Sequence, residues 1–86
     1  SKPMHILWWV DRALWLLSWL IFIDVILTWI PSVSMYHPAV VLLRKVTSPV
    51  LDIFRKILPP QRVGRGYMDF SPILAMVTIF IIRAII

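Results

Sequence analysis

Hydrophobic residues run nearly unbroken from Ala13 to Ile30, as ALWLLSWLIFIDVILTWI, with Asp24 the single charge inside the run. Eighteen helical residues rise ~27 Å, close to a hydrocarbon core of ~30 Å, so 13–30 is predicted as a transmembrane helix. The apolar stretch Met4 to Val10, ended by Asp11-Arg12, extends that helix into the headgroup region. Pro31 is its expected stop, because proline disfavours helix at the preceding residue and cannot continue the hydrogen-bond ladder. A second apolar run, PILAMVTIFIIRAII over 72–86, follows Ser71. Serine then proline is the pattern of an N-cap and a first helical position, so a second transmembrane helix is predicted there. Its fifteen residues span only ~22 Å, so either a very short tail or a continuation past Ile86 is expected. The start Ser1-Lys2-Pro3-Met4 makes Met4 the expected natural first residue.

The connection has another texture. His37-Pro38 and Ser48-Pro49 each pair a cap with a first-turn proline, which predicts two short helices at 38–47 and 49–58. In the first, Arg44, Lys45 and Ser48 oppose Ala39, Leu42, Leu43 and Val46; in the second, Asp52, Arg55 and Lys56 oppose Val50, Leu51, Ile53, Phe54, Ile57 and Leu58. Helices this short and amphipathic are expected to lie flat in the interface, the alternative being a connection that packs on itself. Pro59-Pro60 ends the second, and 61–68, with Gly64 and Gly66, reads as a basic turn. The expected fold class is therefore an all-α membrane protein, a two-transmembrane-helix hairpin with two amphipathic interfacial helices, forming one unit over 1–86.

Composition agrees with the pattern. The chain is 60% hydrophobic and 15% charged, with mean hydropathy +0.88, whereas soluble domains carry roughly 25% charged residues. Without cysteine there is no disulfide, thiolate metal site or cysteine nucleophile. Two glycines leave no phosphate-cradling loop. The net charge of +5 is concentrated in the connection, where Arg44, Lys45, Arg55, Lys56, Arg62 and Arg65 face only Asp52 and Asp69. By the positive-inside tendency, 31–71 is expected on the cytoplasmic side of a plasma membrane, or the equivalent side of a thylakoid, with both termini opposite. These six cations form the expected lipid or partner surface, anionic headgroups being the favoured ligand. Nucleic acid is not expected, because the cations lack interleaved aromatic platforms.

Asp24 is the most informative single residue, since an ionisable group inside a membrane helix is costly. Three readings are open for it: a buried pair with Arg83 that sets hairpin register, a protonated or snorkelling carboxyl, or part of an ion pathway. Ser18 and Thr28 are expected to bond their own helix backbone. Trp8, Arg12, Trp15 and Trp19 share a face that suits a subunit contact, a pigment or cofactor shelf, or lipid. His5 and His37 lie at opposite ends of one helix, so a single chain cannot bring them onto one haem. Four scattered aspartates, no glutamate and no triad or His-x-x-x-His spacing point away from an enzyme, a metal site or a bound cofactor.

One ordered set of motifs remains. Leu27-Thr28-Trp29-Ile30-Pro31, His37-Pro38, Val46-Thr47-Ser48-Pro49-Val50-Leu51, Arg55-Lys56-Ile57-Leu58-Pro59 and Met68-Asp69-Phe70-Ser71-Pro72-Ile73 together resemble the YggT family of bacterial and plastid membrane proteins, over about residues 21–82. The matching motif positions are Thr47, Pro49, Arg55, Lys56, Pro59, Asp69, Ser71 and Pro72. The resemblance implies a membrane protein without catalytic activity. Its members' varied roles, in osmotic tolerance, cell or plastid division and haem attachment during cytochrome assembly, imply a scaffold or assembly factor. Many members carry arginine where this chain has Asp24, so a role for that arginine does not transfer. The functional expectation is a non-enzymatic integral membrane scaffold, homo-oligomeric or bound to a membrane-protein partner. The alternatives are an oligomeric ion channel or transporter lined by Asp24 and a haem-handling subunit using His5 or His37 between chains.

Overall fold

The computed structural model describes residues 5–30, 32 and 36–86. The proposed start at Met4 and the stop at Pro31 lie outside these residues. Three helices, α1 (His5–Trp29), α2 (Pro38–Ile57) and α3 (Ser71–Ile85), are joined with a small antiparallel pair, β1 (Gln61–Val63) and β2 (Gly66–Met68). Each helix packs against the other two.

This corrects the two-span hairpin. Among the described residues, no helix is long and apolar enough to cross a membrane. Asp11, Arg12 and Asp24 interrupt the apolar run of α1, and the fifteen residues of α3 fall short of the hydrocarbon thickness. The sidedness inferred from two spans loses its basis with them.

The second correction concerns 38–58. His37 does cap a helix: its side chain accepts from the Ala39 N–H at 3.1 Å, with Pro38 in the first turn. Ser48-Pro49 does not start another, and α2 runs straight through Pro49. An internal proline removes one i to i−4 bond and crowds the preceding turn, at a cost of about 3 kcal/mol. Packing offsets that cost. Val40, Thr47 and Leu51 are buried, with Val50 and Phe54 against the core, and positions 40, 47, 51 and 54 follow the 3- and 4-residue steps of one helix face. Breaking α2 at Pro49 would split this stripe between Thr47 and Leu51.

Its burial also redraws the predicted faces. Ile53 and Ile57, assigned to an apolar face with Leu51, are 59% and 70% exposed. Instead of lying flat or folding on itself, α2 turns Leu51 inward onto α1 and α3. The core consists of Ile21, Leu51, Ala75 and Ile79, extended by Leu14, Leu17, Val50, Phe54 and Met76. On α1 the contributing positions 14, 17 and 21 step by three and four; on α3 they are 75, 76 and 79. Ala75, fully buried, has no side chain beyond Cβ to hold the neighbouring helices apart.

The basic turn at 61–68 is a hairpin. Gln61 pairs with Met68, Arg62 with Tyr67 and Val63 with Gly66, leaving Gly64-Arg65 as a two-residue loop. Gly64 has φ +61°, and no described non-glycine residue has positive φ. Positive φ at the first loop position alone is the signature of a type II′ turn, which suits the twist of the flanking strands.

Leu51→Ala is expected to destabilise the fold by about 2–4 kcal/mol through cavity formation, while Ile53→Ala stays within about 0.5 kcal/mol. Equal losses in denaturant unfolding would support the flat-lying helix instead. Pro49→Ala restores a donor to the Lys45 carbonyl and is expected to raise the unfolding midpoint, by up to about 3 kcal/mol of stability.

Candidate functional site

Two ion-pair stations mark the space between the end of α1, the middle of α2 and the start of α3. The first is built on Asp24, buried on α1 although charged. Arg44 of α2 brings its Nε to 3.5 Å from Asp24 Oδ1, and Thr47 Oγ1 reaches Oδ2 at 3.4 Å. The same Thr47 hydroxyl lies 3.2 Å from the Leu43 carbonyl, so its one proton serves either acceptor. Thr28 closes the cluster: its hydroxyl donates to the Asp24 carbonyl at 2.8 Å and accepts from Arg44 Nη2 at 2.7 Å. Asp24 Oδ1 receives no hydrogen bond among the described residues. This carboxylate is surrounded by donors that all stand at long range.

Asp69, just before α3, anchors the second station. Arg55 Nε donates to Asp69 Oδ2 at 2.7 Å, and its Nη1 donates to Asp52 Oδ1 at 2.8 Å. Asp69 Oδ1 accepts from the Ser71 backbone N–H at 2.9 Å, an Asx turn that satisfies a first-turn donor of α3. Phe70 occupies the cap position without a side-chain bond of its own, so Asp69 takes the capping role alongside its pairing with Arg55. Burial pushes the Asp69 carboxyl up, but hydrogen bonds from Ser71 and Arg55 outweigh it and hold the group below its ordinary value of 3.8. The bonds to Asp69, the larger influence, and to Asp52 raise the Arg55 guanidinium above its ordinary value against the opposing effect of burial.

Arg44 and Arg55 are eleven residues apart, three turns and ~16 Å along one face of α2. Both line a cavity of about 350 Å³, whose polar wall also includes Asp24, Thr28, Tyr67 and Asp69. Val25, Trp29, Met68, Phe70, Pro72 and Ile73 supply its apolar wall. The volume falls within the range of small-molecule sites, where apolar walls and a few placed polar groups are the rule.

The intramembrane pair expected between Asp24 and Arg83 does not form. Arg83 Nε donates instead to Asp11 Oδ1 at 2.8 Å, while Asp24 faces Arg44. The hydrogen bond from Arg83 holds the Asp11 carboxyl below 3.8 against the opposing effect of burial. Helix geometry explains the exchange: α3 starts level with the C-terminal part of α1, so its last turn meets the first turns of α1. Read from the sequence, Asp11 is only the edge of the apolar run; its being the one aspartate near that end of α1 is the signal that points to it.

The six basic residues fall into two groups by environment. Arg44 and Arg55 are tied to carboxylates, whereas Lys45, Lys56, Arg62 and Arg65 are exposed. Of the motif residues, Thr47, Arg55, Asp69, Ser71 and Pro72 gather around the stations, with Thr47 and Ser71 fully buried. Pro49, Lys56 and Pro59 remain outside, exposed. Thr28 was expected only on its own backbone, and Tyr67 gave no signal because its place depends on the hairpin. Ser18 bonds the Trp15 carbonyl as expected. Arg12 lies between Trp8 and Trp15, 5.7 and 5.9 Å from the two rings, so the aromatic face also holds a cation.

Because the folded-state values of Asp69 and Asp11 lie below the unfolded value of 3.8, their stabilising contribution is complete above that value and is lost as pH falls through the folded ones. Melting temperature is therefore expected to decline from about pH 5 downward. Asp69→Asn, which keeps an acceptor for Ser71 but loses the charge, should flatten that decline. Asp69→Ala should cost about 1 kcal/mol more than Asp69→Asn through loss of the Asx turn.

Comparison with known proteins bears on the same residues. The uncharacterized protein ycf19 of Guillardia theta is 39% identical over 67 residues, covering 78% of this chain and 69% of the relative. The proteins of that name from Porphyra purpurea and Pyropia yezoensis are each 36% identical over 58 residues, 67% of this chain and 57% of their own length. The chain thus spans little more than half of these last two. No solved structure matches it. The family model CCB3/YggT matches residues 4–86, taking in both ion-pair stations and the motif residues around them, and on that match the chain belongs to the CCB3/YggT family.

Proposed function

We propose that the protein is a non-enzymatic, membrane-associated scaffold or assembly factor, whose basic side binds anionic headgroups while lipid or a partner covers its apolar side. The observation that carries this reading is the amount of surface left open. The chain exposes 6658 Å², against the roughly 5,300 Å² expected of a compact monomer of its 10.1 kDa mass. Much of that surface is large and apolar: Trp9, Trp29, Phe80 and Ile85 are all well exposed. An uncovered apolar surface of this kind favours association with lipid or protein.

Basic groups supply the second support. Lys45, Lys56, Arg62 and Arg65 are exposed, and each cation near an anionic membrane surface contributes about 1 kcal/mol. The channel alternative is weakened, because the Arg44 guanidinium sits beside Asp24 and repels the cations a pathway would carry. The haem alternative gains no support from His37, whose Nδ1 accepts the Ala39 N–H. Relatives from photosynthetic algae support a plastid or thylakoid setting for this reading.

Flotation with vesicles tests it. Lys56→Glu, Arg62→Glu and Arg65→Glu combined are expected to weaken binding to anionic vesicles at least about tenfold, with binding to neutral vesicles unchanged. Undiminished binding to anionic vesicles would remove the basic surface from the account.

A further inference from the structure

We propose that the cavity between the two ion-pair stations binds the uncharged, hydroxyl-bearing headgroup of an amphiphile, a sugar or other polyol on an apolar tail. Its charge balance is the first argument. Arg44 and Arg55 are matched in the lining by Asp24 and Asp69, so a ligand with net charge would leave one charge uncompensated in a half-enclosed space, which is costly. A neutral polar group meets no such penalty.

Hydrogen-bonding capacity is the second argument. Asp24 is 6% exposed and lines the cavity, and its Oδ1 accepts no hydrogen bond among the described residues. Its contacts with Arg44 and Thr47, at 3.5 and 3.4 Å, are both long. A buried carboxylate in this condition gains from a donor brought by a ligand. A hydroxyl provides that donor and also a lone pair for a neighbouring guanidinium, so one group can serve both members of an Asp–Arg pair.

The walls supply the third argument. Trp29, Tyr67 and Phe70 present aromatic surface beside the charged groups. Aromatic faces take the C–H face of a sugar ring, and the adjoining Val25 and Ile73 offer apolar area for the start of a tail. This goes beyond the scaffold reading and does not depend on it, because vesicle binding by the exposed lysines and arginines involves none of these residues.

Native mass spectrometry tests the proposal, with the purified chain in an oxyethylene detergent and octyl glucoside, octyl phosphocholine and octyl sulfate as matched eight-carbon probes. One octyl glucoside is expected to be retained per chain, about tenfold more tightly than octyl sulfate, as the loss of a well-made hydrogen bond to a charged group would give. Asp24→Asn and, separately, Tyr67→Ala are expected to lower octyl glucoside retention several-fold. Tyr67 is 76% exposed on a surface strand, so its removal probes the cavity with the core intact. Equal retention of the three probes, preferential retention of octyl sulfate or octyl phosphocholine, or undiminished octyl glucoside retention by a folded Tyr67→Ala chain would each overturn the proposal.

Discussion

A buried carboxylate on an apolar helix must be met by a cation, and Asp24 imposes that requirement on the whole chain. An unpaired charge at this depth would cost several kcal/mol. Arg44 answers it from α2, which fixes the face that α2 turns toward α1. Once Arg44 and Thr47 are so placed, helix geometry brings Leu51 inward one turn further and Arg55 into line beyond it. Arg55 then captures Asp69, and Asp69 fixes where α3 begins through its bond to Ser71. The core of Ile21, Leu51, Ala75 and Ile79 closes between the two stations. The apolar packing and the two ion pairs are thus met in one register of the helices.

Much of this was legible in the sequence, and the failures share a cause. The start of α2 was readable because a local signal determines it, His37-Pro38; that of α3 was placed within one residue by Ser71-Pro72, although the capping bond comes from Asp69 and not from Ser71. Pro49 misled because its local signal competes with a tertiary one: the stripe through Thr47 and Leu51 offsets an internal proline, and that gain exists only when α1 and α3 are in place. Likewise, the amphipathic pattern of 49–58 grouped Leu51 with Ile53 and Ile57, although one partner surface can cover only one side of a helix. Of the readings open for Asp24, the pair with Arg83 fails because matching by depth assumed two antiparallel spans, whereas the structure sets Asp24 against Arg44. The cavity could not be read, since Thr28, Arg44, Tyr67 and Phe70 are brought together by all three helices and the hairpin.

The motif residues acquire a common physical meaning. Thr47 adjoins the junction of α1 with α2, and Arg55, Asp69, Ser71 and Pro72 hold or adjoin that of α2 with α3. A family pattern spread over these positions describes a joint between helices rather than a set of reacting groups. That the joint is charged while its surroundings are apolar gives it direction: aliphatic surfaces can slide past one another at little cost, whereas a guanidinium held by Asp69 and Asp52 cannot.

The bond between Asp11 and Arg83 joins residues 72 positions apart. Closing a loop of that length costs about 4 kcal/mol of chain entropy, more than one partly buried ion pair at the surface returns, so the bond forms only after the helices have already approached. During synthesis from the N-terminus, α1 is complete long before α3 exists, and it presents Asp11, paired only with the neighbouring Arg12, and an open aromatic face to the ribosome exit and to any chaperone there. The early life of this chain is therefore that of a helix awaiting company, and α1 gains its full cover only once α3 has been made.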